Sequence, residues 1–123
     1  MIRSPDRVWT IERAAVTDGI GPRLLGLLGL ARRAGKLAVG TSAVERMIHE
    51  GRRPLLIIAS DAGEGPRARL LRLTPVRAVL ADVVSRDDLA MALGRKELTV
   101  VAVSDPDFVQ GIERLAGEAG GRR

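Results

Sequence analysis

The sequence predicts an α/β protein, a three-layer α-β-α sandwich around a small mixed sheet. Segments with helical period alternate with apolar runs of strand length along most of the chain. The run PLLIIAS is apolar throughout, which suits a central strand covered by helices on both faces. At 123 residues and 46% hydrophobic content, the chain has the size and composition of one domain with one core.

The elements follow in order. From Pro22, the residues Leu24, Leu27, Leu28 and Ala31 fall at i, i+3, i+4 and i+7. Arg32 and Arg33 stand at the end of that helix and Gly35 is its stop. Leu37 to Val39 is a short extended piece and Gly40 a break. A second helix then starts near Thr41 or Ser42 and ends at Gly51, with Val44, Met47 and Ile48 on one face and Ser42 and Glu45 in the S-x-x-E spacing of a capping box. After the PLLIIAS strand, Asp61 and Glu64 frame a third helix start, followed by Ala68, Leu70, Leu71 and Leu73. VRAVLADV reads as the next strand. Ser85 with Asp88 then caps a helix carrying Leu89, Ala92 and Leu93, which Gly94 closes. LTVVAV is a further strand. Asp105 caps the last helix, Pro106 takes its first position, and Phe108, Ile112, Leu115 and Ala116 line its apolar face.

Residues 1–20 lack a sustained apolar period and run into the turn-rich Asp18, Gly19, Gly21 and Pro22, so they read as an N-terminal extension or linker. Residues 21–117 are the folded domain, and 118–123 a flexible, glycine-rich tail.

Charge is unevenly placed. The formal net charge is +5, with 20 Lys and Arg against 15 Asp and Glu. Both flanks are balanced, so the whole excess falls within residues 21–60, where seven basic residues face two acidic ones. A local basic surface favours an anionic partner, with nucleic acid ahead of acidic protein or lipid. Zero cysteines exclude disulfides, thiolate zinc sites and Cys nucleophiles, and the chain reads as cytoplasmic. The stretch LLGLLGLA is too short for a membrane span and too internal for a signal peptide, so no membrane association is expected. Trp9 and Phe108 are the only aromatics, which argues against binding by base stacking on exposed rings.

Several candidate sites fall away. GLARRAGK, from Gly29 to Lys36, has the wrong glycine spacing for a phosphate loop, places Leu37 where a Ser or Thr should stand, and ends a helix rather than starting one. His49 is the single histidine, which disfavours a His-rich metal site and a Ser-His-Asp triad. The acid pairs Asp61 with Glu64 and Asp87 with Asp88 sit at helix starts, where carboxylates satisfy amides and the helix dipole. No catalytic residue, metal site or cofactor is expected. The stronger candidate runs from Arg32 to Arg53. Gly40 admits close approach of a ligand to the backbone, the amides of the second helix open outward, Ser42 adds a hydroxyl, and Arg46 projects a guanidinium from the same end. Lys36 lies just upstream.

LLGLARRAGKLAVGTSAVERMI, then PLLIIASDA, then SRDDLAMALGRKELTVVAVSDPDFVQGI resemble the kink-turn RNA-binding ribosomal protein family, the L-seven-Ae and L-thirty-e group. Within it the similarity is to small bacterial ribosome-associated RNA-binding members, and it covers residues 22–116. The resemblance implies the same α-β-α sandwich, with RNA bound where the start of the second helix meets the loop before the last strand. The family's helix start reads G-x-N-E-x-x-K, the Asn and Glu reading sheared G·A pairs beside a sharp bend. Here Gly40 matches the Gly, Ser42 stands for the Asn, Ala43 for the Glu and Arg46 for the Lys, so base reading is weakened and phosphate contact is kept. Lost base contacts of this kind cost about 1 to 3 kcal/mol each. The loop GRKEL, from Gly94 to Leu98, supplies Arg95 and Lys96 to the other half.

The expectation is therefore a non-catalytic protein for structured RNA, kink-turn-like or bent, ribosomal or ribosome-associated, with no DNA partner. Its RNA contacts are Lys36, Gly40, Thr41, Ser42, Arg46, Gly94, Arg95 and Lys96. Arg32, Arg33, Arg52 and Arg53 steer at long range. The alternatives are a protein-interaction module of the same fold and an RNA-recognition accessory of an RNA-modifying enzyme.

Overall fold

The structure is a computed structural model that describes residues 8–10 and 19–118. Its strands are β1 (Val8–Thr10), β2 (Leu37–Val39), β3 (Leu55–Ile58), β4 (Ala78–Ala81) and β5 (Val100–Val103). Its helices are α1 (Gly21–Arg33), α2 (Thr41–His49), α3 (Glu64–Leu71), α4 (Arg86–Leu93) and α5 (Pro106–Glu118). The sheet order is β1-β4-β3-β5-β2, with β4 parallel to β1 and β3, and β5 antiparallel to β3 and β2. The sheet is mixed as expected, and the all-apolar run lies at its centre.

The pleat divides the core into two halves. Leu55, Ile57, Ala78, Leu80, Val101 and Val103 face α1, α4 and α5, where Leu24, Leu28, Leu89, Leu93 and Ile112 meet them. The alternate residues Leu56, Ile58, Val79, Ala81, Val100 and Ala102 face α2 and α3, against Val44, Met47 and Leu70. Strands buried on both faces cannot show a polar alternation, which is why these runs are apolar throughout. Arg77, just before β4, forms a two-point bond with Glu113 of α5, Nε to Oε2 at 2.7 Å and Nη2 to Oε1 at 3.1 Å. The hydrogen bond and then the charge of Glu113 raise the Arg77 pKa above its ordinary value.

Most punctuation residues act as the sequence predicts. Past α1, Lys36 N–H donates to the Ala31 carbonyl at 2.8 Å and Gly35 N–H to that of Arg32 at 3.0 Å, so GLARRAGK is a helix end. Ser85 Oγ accepts from Asp88 N–H at 3.1 Å, and Asp105 Oδ2 accepts from Phe108 N–H at 3.4 Å.

Three local readings are corrected. Ser42 is not a cap, because the N-cap of α2 is Gly40 and no side chain caps that helix; Ser42 already has helical backbone and cannot reach back. Glu45 pairs instead with Arg69 of α3, at 3.8 Å. Asp61 does not start α3, whose N-cap is Gly63, but accepts from the Arg86 N–H of α4. In α4 the buried alanine is Ala90, while Ala92 is exposed, because the helix turns Leu89, Ala90 and Leu93 inward. Of the segment read as an extension, Val8–Thr10 pairs with β4 as the edge strand. Residues 1–7 and 11–18 lie outside the described residues, as do 119–123 of the expected tail.

Candidate functional site

One end of the sheet gathers most of the candidate residues. β2 runs antiparallel to β5, so Gly40 emerges beside the first residue of β5 and donates its N–H to the Val100 carbonyl at 3.0 Å. The adjoining Thr99 carbonyl accepts from Ala59 N–H at 2.8 Å, which ties the end of β3 to the same place. The chain segment entering β5 is thus held between the start of α2 and the exit of β3.

Gly40 has φ +92°, a backbone that side chains other than glycine rarely adopt. That conformation turns the chain abruptly from β2 into α2 and leaves the helix without a side-chain cap. The first amides of a helix have no carbonyl within it to bond, so those of Thr41, Ser42 and Ala43 form an electropositive end. Ser42 and Arg46, four residues apart on α2, are both exposed and share a face.

The second half comes from the loop after α4. Gly94 ends that helix at φ +67°, and the Arg95 N–H bonds to the Ala90 carbonyl at 2.8 Å. Leu98 is buried and anchors the far end of the loop, so Arg95, Lys96 and Glu97 are held out in solvent. Arg95 reaches the helix start: a Cβ added to Gly40 would lie 3.8 Å from its Nη2. Among the described residues Arg46, Arg95 and Lys96 enter no ion pair, which leaves three cations available to an anion.

Lys36 is placed elsewhere. It precedes β2 at the end opposite Gly40, and its Nζ lies 3.8 Å from Asp105 Oδ1 at the start of α5. Conversely, residues not singled out from the sequence join the site. Arg69 of α3, 72% exposed, and Thr99 line a cleft of about 650 Å³ with Thr41, Ser42 and Glu45. The local pattern of α3 carries no signal for this; only the packing of α2 beside α3 brings Arg69 there.

Fold and site together define an L-seven-Ae-like α-β-α sandwich with a basic helix start and loop at one end of its sheet. The chain is similar to the RNA-binding protein YlxQ of Bacillus subtilis, with 31% identity over 90 residues, which are 72% of this chain and 90% of that protein. It belongs to the YlxQ family, within the L-seven-Ae group. A protein of unknown function from Bacillus halodurans superposes with a TM-score of 0.66 at 32% identity, over 77% of this chain and 97% of that one. The 15.5kD RNA binding protein of Giardia lamblia shares the fold, with a TM-score of 0.60 at 19% identity over 82% and 88% of the two chains. No family model matches the chain.

Proposed function

We propose that this chain binds structured RNA of kink-turn-like or otherwise bent shape, ribosomal or ribosome-associated, and acts by binding rather than catalysis. The observation that carries the reading is the meeting of Gly40 and Arg95, which sets an uncapped helix start beside a loop guanidinium. Backbone amides and unpaired arginines hold phosphates, and phosphate contact with shape is how folded RNA is mostly bound. The relationship to YlxQ, named an RNA-binding protein, supports the same reading.

In this proposal Gly40, Thr41 and Ser42 present the amides and a hydroxyl. Arg46 flanks them on α2, and Gly94 positions Arg95 and Lys96 over them. Lys36 acts at a distance, since it lies at the end of β2 opposite Gly40. The family's base-reading Asn and Glu are replaced by Ser42 and Ala43, so selectivity rests on the shape of the bend more than on base edges.

The test is a titration of the protein against a kink-turn RNA and a fully paired RNA of equal length at two salt concentrations. Preferential binding of the bent RNA is expected. Weak and equal binding to both would reduce the site to a nonspecific basic patch.

A further inference from the structure

On the opposite face of the sheet from α2, a groove of about 610 Å³ runs between α1 and α5. Leu27 and Leu30 of α1 and Leu115 of α5 line it, and Leu30 is 49% exposed. Two glycines within the helices keep it open. A Cβ on Gly26 would meet nothing within 4 Å, and one on Gly111 would make ordinary contact with Leu27 at 3.6 Å. Neither glycine is required by packing within the described residues, and glycine is a poor helix former. Among the described residues the groove is lined by cations and no acidic residue, with Arg33 on the α1 wall and Arg114 on the α5 wall.

We propose that this groove docks an acidic amphipathic helix of a partner protein. A leucine-lined trough between two helices accepts apolar side chains spaced i, i+3 and i+4 along a third helix. The arginines on both walls select Asp and Glu flanking that stripe and disfavour a basic helix. A paired RNA would match the arginines but would lay its phosphates over exposed leucine. None of Gly40, Ser42, Arg46, Arg95 and Lys96 lines the groove between α1 and α5, so in this proposal partner and RNA occupy separate surfaces of the chain.

The experiment pans a phage-displayed random peptide library against the full chain, with depletion on a Gly26→Leu variant that fills the groove without altering its charge. Enriched peptides are expected to be net acidic, with apolar residues at helical spacing. One such peptide, synthesised and labelled, should bind at least about tenfold more weakly to Arg114→Glu and to Leu30→Glu, both changes being at exposed positions. Enriched peptides with no acidic bias, or equal binding to parent and variants, would overturn the proposal. A loss of RNA affinity in Arg114→Glu with peptide binding intact would assign the arginines to RNA and overturn it as well. So would a dimer seen by light scattering that Gly26→Leu dissociates. Gly26→Leu should leave the bent-RNA titration unchanged, so failure of the groove and failure of the RNA site are read separately.

Discussion

Asp61 and Arg86 meet twice. Oδ1 of Asp61 accepts the backbone N–H of Arg86 at 2.8 Å, and Oδ2 lies 3.7 Å from its Nε. A carboxylate at the exit of β3 thereby holds the first residue of α4, the helix that ends in the Gly94 loop. Asp61→Ala should cost about 1 kcal/mol, the usual value of a lost helix-start acceptor. The check is a lower urea midpoint at unchanged slope, with Asp61→Asn losing less because it keeps an acceptor oxygen.

Gly40 has a backbone that alanine enters only with strain. Gly40→Ala should destabilise the fold by about 1 to 3 kcal/mol and weaken RNA binding, because the start of α2 shifts relative to Arg95. Paired measurements of unfolding and of RNA affinity check both effects. A stable variant with full affinity would remove Gly40 from the site.

Arg46→Ala and Arg95→Ala should each weaken RNA binding and lower the slope of log affinity against log salt by about one unit, as a lost phosphate contact does. Lys36→Ala should change the slope less, since Asp105 already faces that charge. A larger slope change for Lys36 than for Arg95 would move the site to the other end of β2.

Ala43 is half-buried in the first turn of α2, beside the exposed Ser42. Ala43→Glu should raise preference for an RNA with sheared G·A pairs over a paired control. The readout is the ratio of the two affinities. An unchanged ratio would mean that base edges are not read from this position.

Gly29 lies within α1, and a Cβ there would meet nothing within 4 Å. Gly29→Ala should stabilise the protein by about 0.5 to 1 kcal/mol through helix propensity alone. Thermal unfolding measures it, and RNA affinity should not move.

Helix ends and strand cores were legible because their causes are local. Pro22, Gly35, Ser85, Gly94 and Asp105 each act on backbone within a few residues of themselves. Hydrophobic runs state their own burial, so the order of α1 to α5 with β2 to β5 follows from the chain. Val8–Thr10 was not legible, since an edge strand of three residues has no period to detect. Within the site, Gly40 and Ser42 to Arg46 announced themselves as a helix start, and the Gly94 loop announced its charge.

By itself, then, the sequence determined the elements, the α-β-α layering, the basic window and the helix start at Gly40, all of which depend on propensity and short-range bonding. Only the tertiary structure decided which distant groups meet. It assigned Asp61 to Arg86 rather than to its own helix, Glu45 to Arg69 rather than to a capping box, and Lys36 to Asp105 rather than to the cleft. Those partners lie 24 to 69 residues apart in the chain. Sheet register and helix packing set such separations, and no local pattern of residues encodes them.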